Sequence, residues 1–478
     1  MITIEDLKKI RIFMGGMGFY ISTLMAKQVS MLGGLGIVSG VAPEIILPTI
    51  LQRGDANGDC RRALSHFPFP KIAQMVIDAY YIEPGNPKGL ARRTIPFTTV
   101  DSTNPDGEIN MASALSICGN FVFVWLAKEG HNHPVGVNLL EKITMPLPSA
   151  IIGAMLAHVD LTVVGAGIPD QVSDVIDAIY DWRIVSYRIP VGGKMKNYTV
   201  IFDLCKLLGE RPSQLEKPLF MPIVSSNVLA WALHKKLKDR IAGFIVEGPT
   251  AGGHNAPPRN KKIDLSGEPI YDENDVVNCE KLKALGLPFW LAGSYGSPQG
   301  LAKAMELGAN GIQVGSAFAL CEESGLKASI RKVSKRLAFR GELVIKSNPY
   351  ASSTGYPFQT VEYPGSLSEL EVYGSITRFC KYGVLREPYE RPDGSLGYRC
   401  PAEPIDKYLL KGGRIEDTVL VRCLCQGLVE ASILGEGNYP PIVTLGKDAP
   451  RIAQTLMTNE DDIIMVEKVF NYILGPNR

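Results

Sequence analysis

The sequence predicts an α/β protein built on a (β/α)8 TIM barrel, and three observations carry that expectation. Eight short apolar runs end in glycine, serine or asparagine, amphipathic helix-like text follows several of them, and glycines recur after the sixth, seventh and eighth. Buried strands that alternate with amphipathic helices imply parallel pairing, because parallel neighbours need a long crossover between them.

The first run lies at Ile10 to Met14 and the second at Leu35 to Val38. The others are Val135 to Leu139, Leu161 to Val164, Leu219 to Val224, Gly243 to Val246, Phe289 to Ala292 and Gly311 to Val314. SPQGLAKAMELGA after the seventh reads as a helix. Ile151 to Ile168 has the length of a marginal membrane span, but His158 and Asp160 sit near its middle and glycines interrupt it, so it reads as a helix followed by a buried strand. Two regions fall outside the barrel, which takes residues 1–41 and 134–320. Residues 42–133 form an insertion, with turn-rich TTVDSTNPDGEI and apolar NFVFVWLA, placed to cover one side of the active site. Residues 321–478 form a C-terminal cap or subdomain, with the basic helix-like KASIRKVSKRLAF and many Pro-Gly turns.

Composition permits an ordinary enzyme of more than one folded unit: 478 residues, 45% hydrophobic and 21% charged. A net charge of +1 with interspersed signs lacks the basic face that nucleic-acid binding needs, and no membrane partner is implied. The start, MITIEDLKKIRIF, lacks a secretory signal, so a cytoplasmic location is expected. Nine scattered cysteines predict reduced thiols. Cys423 and Cys425 form a CxC pair, but zinc prefers wider spacing and a second pair, and they read as core thiols. His131-Asn132-His133, within EGHNHPVG, reads as a loop, and no metal is expected.

The strand-end loops carry the functional signal. IVEGPTAGGHNAP, Ile245 to Pro257, joins a strand to a glycine-rich turn in which Gly252 and Gly253 free backbone amides for an anionic or flat ligand and present His254. In a (β/α)8 barrel, phosphate is often held by the loops after strands seven and eight. Those loops carry Gly293 and Gly296, then Gly315 and Ser316, where a helix start would point N–H groups at phosphate, so a phosphate-bearing cofactor is predicted. GGLGIVSG, Gly33 to Gly40, lacks the spacing of a dinucleotide fingerprint. Each glycine alone would serve any turn; three successive strand ends are the signal. SNPYASSTGYPF, Ser347 to Phe358, mixes aromatic and hydroxyl residues found near ligands and on plain surfaces alike.

The text RIFMGGMG, GGLGIVSG, VGVNLL, VEGPTAGGH, LAGSYGSP and IQVGSAFALCEESG resembles the nitronate monooxygenase (2-nitropropane dioxygenase-like) family, in the superfamily that includes FMN-dependent enoyl reductases. The resemblance implies FMN as cofactor. It places Gly15, Gly16 and Met17, where members often have Ala-Pro-Met, along the flavin ring, with Asn138 beside it. Glu247 stands where the family commonly has glutamine, and a carboxyl group donates a hydrogen bond only when protonated. Gly252, Gly253, Gly293, Gly315 and Ser316 correspond to ribityl and phosphate binders, with Gln313 leading into the last loop. His254 matches the catalytic histidine, a residue able to take or give a proton near neutral pH.

Three functions remain open on this reading. One is oxidation of alkyl nitronates with molecular oxygen. Another is NAD(P)H-dependent enoyl reduction of an acyl chain on an acyl carrier protein, which would need an acyl groove. The last is flavin binding without turnover, against which the presence of His254 counts. Tyr295 could line the pocket or pack at the surface, and is left outside the catalytic set.

Overall fold

Short, fully buried β-rich runs cannot satisfy their backbone groups alone, and in the computed structural model they do so by closing on one another. Residues 2–18, 22–84, 101–191 and 198–475 are described. The barrel strands, numbered in chain order, are β1 (Ile12–Met14), β2 (Gly36–Ser39), β3 (Val135–Leu140), β4 (Leu161–Gly165), β5 (Leu219–Val224), β6 (Phe244–Glu247), β7 (Phe289–Ala292) and β8 (Gly311–Val314). Each pairs in parallel with its sequence neighbour from β2 through β8, and β8 pairs with β1 in register Ile12↔Ile312. A parallel bridge Phe13↔Leu35 closes the ring between β1 and β2. All eight expected runs are therefore strands of the expected barrel.

The interior is filled, as such barrels require. Phe13, Leu35, Ile37, Leu161, Val163, Met221, Ile245 and Trp290 form a buried inner cluster that Leu7 of the first helix joins. The Phe13 and Trp290 rings stack 4.4 Å apart, and Trp290 Nε1 donates to the Ile10 carbonyl at 2.9 Å, so the one polar atom of that large side chain is satisfied.

Within residues 42–133 the apolar run NFVFVWLA lies in an 18-residue helix, Met111–Lys128. This helix is long and apolar enough to cross a membrane, but 78% of it is buried in the fold, against the helices Pro43–Gln52 and Leu147–Leu156. Its end is pinned: Lys128 pairs with Asp160 at 2.5 Å, and Asp160 also accepts the Val135 amide at 2.9 Å. Leu147–Leu156 crosses it closely at Gly153, where a Cβ would stand 2.1 Å from the Ile117 carbonyl oxygen. Gly153→Ala should force the two helices apart and cost about 1–3 kcal/mol in urea unfolding; an unchanged midpoint would contradict this packing. Of the stretch TTVDSTNPDGEI, residues 98–100 lie outside the described residues.

The run from Ile151 to Ile168 is a helix end followed by β4. Between β4 and β5 the structure adds an antiparallel pair, Val185–Arg188 with Thr199–Phe202, that the strand reading lacked. In the C-terminal region KASIRKVSKRLAF forms the helix Ala328–Arg340. Its cations are matched by Glu322, Glu460 and Asp461, so it is no free basic face. Two hairpins follow: Ile345–Asn348 with Phe358–Val361, and Glu387–Glu390 with Leu396–Arg399.

Candidate active site

A parallel barrel gathers the carboxyl ends of its strands on one face, and here all eight contribute to one cavity of about 280 Å³. Its lining runs from Gly15, Gly16 and Met17 after β1, through Asn138 on β3 and Glu247 at the end of β6, to Gly252, Gly253 and His254. It continues with Gly293 after β7 and Gln313, Gly315 and Ser316 at β8. Every site residue expected from the sequence thus faces the same space. Tyr295, left out of the catalytic set, also lines it.

The first loop lies hard against β3. A Cβ on Gly16 would stand 2.4 Å from the Asn138 Cβ, closer than side chains pack, so only glycine lets the loop pass there. Asn138 Oδ1 is buried without a hydrogen-bond partner, an acceptor left for whatever fills the pocket. After β7, Gly293 adopts a φ of 93° that a side chain would strain.

The β6 loop is clamped by the C-terminal region. His254 bridges Phe358, and Gln359 N–H donates to the Gly253 carbonyl at 2.8 Å. Gly253 N–H donates to Thr444 Oγ1 at 2.8 Å, and Lys447 N–H to the Thr250 carbonyl at 3.0 Å. His254 Nε2 hydrogen-bonds Ser352 Oγ at 2.7 Å, which in turn contacts Thr354 Oγ1 at 2.8 Å, while the imidazole meets the Phe358 ring edge-on at 4.9 Å. SNPYASSTGYPF is thereby at the site: Ser352 orients the histidine, and Tyr356 and Phe358 line the cavity.

Electrostatics here follow from burial. Loss of solvation, and secondarily the Lys142 charge, lower the His254 pKa to about 4, so its imidazole is neutral at pH 7. Glu247 makes no hydrogen bond or ion pair among the described residues, and burial raises its carboxyl to about 8. It therefore stays protonated at neutral pH and can donate, as a glutamine would.

One group of lining residues escaped the sequence reading. Thr444, Leu445, Gly446 and Asp448 come from a loop far along the chain. Gly446 N–H donates to Ser316 Oγ at 2.5 Å, and the Asp448 carboxyl, raised by burial, accepts the Gly296 amide. The signal was local and faint, an Asp before the Pro-containing helix Ala449–Leu456. Among the described residues of 42–133 none lines the cavity, so the cover expected from that insertion is supplied there by the C-terminal region. The helix after β8 is a single turn, Ser316–Ala319.

Fold and pocket together define a (β/α)8-barrel enzyme. Residues 218–348, from β5 through the first C-terminal hairpin strand, match the family model described as nitronate monooxygenase, and the chain is an oxidoreductase. The matched segment holds Glu247, Gly252, Gly253, His254, Gly293, Gln313, Gly315 and Ser316.

No curated protein sequence matches the chain. Among solved structures it is similar to FabK from Thermotoga maritima, with a TM-score of 0.47 and 16% identity over 98% of this chain and 93% of that one. It is similar also to the enoyl reductase domain of MlnA from Bacillus amyloliquefaciens, TM-score 0.45, 11% identity, covering 98% and 94%. A nitroalkane oxidase from Streptomyces ansochromogenes gives 0.38 and 12%, covering 74% and 78%. Likenesses this distant do not decide the chemistry.

Proposed function

We propose that the protein is an FMN-dependent oxidoreductase that oxidises alkyl nitronates with molecular oxygen, with His254 handling the proton. The observation that carries this reading is the neutral His254 imidazole, fixed by Ser352 and lying in the positive field of Lys142. A neutral imidazole can accept the carbon-bound proton of a nitroalkane, and a neighbouring cation favours an anionic nitronate. An anion bound beside it would push the histidine pKa back up, so proton affinity rises when substrate is present.

The residues fit FMN. Gly15, Gly16, Met17 and Asn138 would lie along the ring, the unpartnered Asn138 Oδ1 accepting a ring N–H. Glu247 and Gln313 would meet its polar edge, and Gly252, Gly253, Gly293, Gly315 and Ser316 the ribityl and phosphate groups. The Asp448 carboxyl, which lies at the same end of the pocket, has Arg451 at 3.7 Å to offset its charge. When bound, FMN supplies the electron transfer between substrate and oxygen.

Glu247 gives a pH signature. Its folded pKa of about 8 exceeds the ordinary 4.5, so the folded state holds the proton more tightly and stability is lost as pH rises from 4.5 to about 8. In flavin-free protein Glu247→Gln should raise the Tm relative to wild type progressively over that window and leave it unchanged below pH 4.5. FMN affinity of the wild type should weaken above about pH 8, where the donor proton is gone, while the variant stays flat. Parallel pH profiles for the two proteins would refute a neutral, donating Glu247.

Enoyl reduction with NAD(P)H on a carrier-bound acyl chain is the second reading. Leu385, Leu428, Tyr356 and Phe358 favour it, since they add apolar surface that an acyl chain could use. Against it, a neutral His254 keeps only its single ring N–H, a weak acid for protonating an α-carbon. Oxygen consumption dependent on propionate 3-nitronate tests the first reading; no consumption by flavin-loaded protein would reject it.

A further inference from the structure

We propose that residues 321–478 contain a structural metal site in which the thiolates of Cys380, Cys400, Cys423 and Cys425 hold a single thiophilic divalent ion of the zinc class. From the sequence, the CxC pair lacked a second pair. The fold supplies it: Cys400 follows the strand Leu396–Arg399, Cys423 caps the helix Leu424–Ala431, and Cys380 lies before the hairpin. All four line one small cavity of about 10 Å³. That is room for one water-sized ion and too little for a multi-iron cluster.

A second observation concerns what points at the sulfurs. Backbone N–H groups donate to each of them: Gly383 to Cys380, Ala402 to Cys400, Cys425 and Gln426 to Cys423, and Leu385 to Cys425. The Ser353 hydroxyl donates to Cys400 as well. A neutral thiol is a weak acceptor, whereas a metal-bound thiolate needs such donors to spread its charge. Four thiolates on a divalent ion leave two negative charges, and two guanidinium groups, Arg386 and Arg422, line the same cavity. Glu403, the one carboxylate there, is already matched by Lys411 at 2.7 Å.

The surroundings give the ion a structural task. Cys400, Ala402 and Val421 make a separate buried cluster of only three residues, too small to hold a hairpin by apolar packing alone. As placed, the thiols are unbridged and do not close on a common point at ligand distance. A metal would deprotonate them and draw them in. The site would also position the pocket: Leu385 lines both this cavity and the active-site cavity, and Leu428 lies on the helix that Cys423 caps.

Metal analysis of full-length protein, purified without metal-affinity resin from zinc-supplemented cells, tests this. We expect about one zinc per chain, and after exchange with cobalt the charge-transfer and visible bands of a tetrahedral thiolate centre. Cys423→Ser with Cys425→Ser should lose the metal. If that double variant fails to fold, the cobalt spectrum of the wild type decides alone. Wild-type protein with less than about a tenth of an ion per chain and no cobalt–thiolate band would overturn the site. Iron with acid-labile sulfide would overturn the single-ion assignment. Neither outcome depends on which substrate the barrel oxidises.

Discussion

Replacing His254 with alanine should leave a yellow, FMN-loaded protein whose turnover falls by about 10²–10⁴-fold, the usual contribution of a positioned acid or base. The flavin should remain because the residues assigned to hold it lie on the strand-end loops, whereas His254 sits beside Ser352 and Phe358 from the C-terminal region. The loop itself should survive, since its backbone bonds to Gln359 and Thr444 use no atom of the imidazole. Ser352→Ala should cost less, because it removes the group that orients the ring and leaves the ring in place. FMN titration together with kcat on propionate 3-nitronate checks both. Loss of flavin from His254→Ala with unchanged activity per bound flavin would move the residue from chemistry to binding.

The second large effect is expected at Gly16. A Cβ there would meet the Asn138 Cβ at 2.4 Å, and valine adds two more methyl groups to a space already closed. The β1 loop must then lift from β3, taking Gly15 and Met17 with it. Overpacking of this kind costs about 1–3 kcal/mol, which as lost affinity is about 5- to 150-fold weaker FMN binding. Fluorescence titration of the flavin-free protein measures it, and circular dichroism verifies the barrel. An unchanged FMN affinity in a folded Gly16→Val variant would mean that this loop does not touch the flavin.

The barrel was legible because each strand is short, buried and punctuated. Buried runs such as Leu161–Gly165 and Phe289–Ala292 have no competing amphipathic pattern, and glycine or serine marks where they stop. The strand-end residues could be found for the same reason: in a closed parallel barrel they share one face whatever the loops do. What stayed hidden was set by long-range contact. Thr444 reaches Gly253 across 191 positions, and Gly446 reaches Ser316 across 130, with only a weak helix-start signal to mark their loop. Cys400 and the CxC pair share a cavity that no local spacing reveals. Val185–Arg188 alternates buried and exposed residues over only four positions, too few to stand out as an edge hairpin. The charge on Glu247 was equally invisible, because a carboxyl group reads as anionic until its burial is known.

The most direct test of the central claim is the visible flavin spectrum of purified protein under anaerobic conditions, with propionate 3-nitronate and NAD(P)H added separately. Bleaching by the nitronate and not by either nicotinamide is the predicted result. Rapid bleaching by NADH or NADPH alone would contradict it and assign the pocket to enoyl reduction, and a colourless protein unable to take up FMN would contradict both readings.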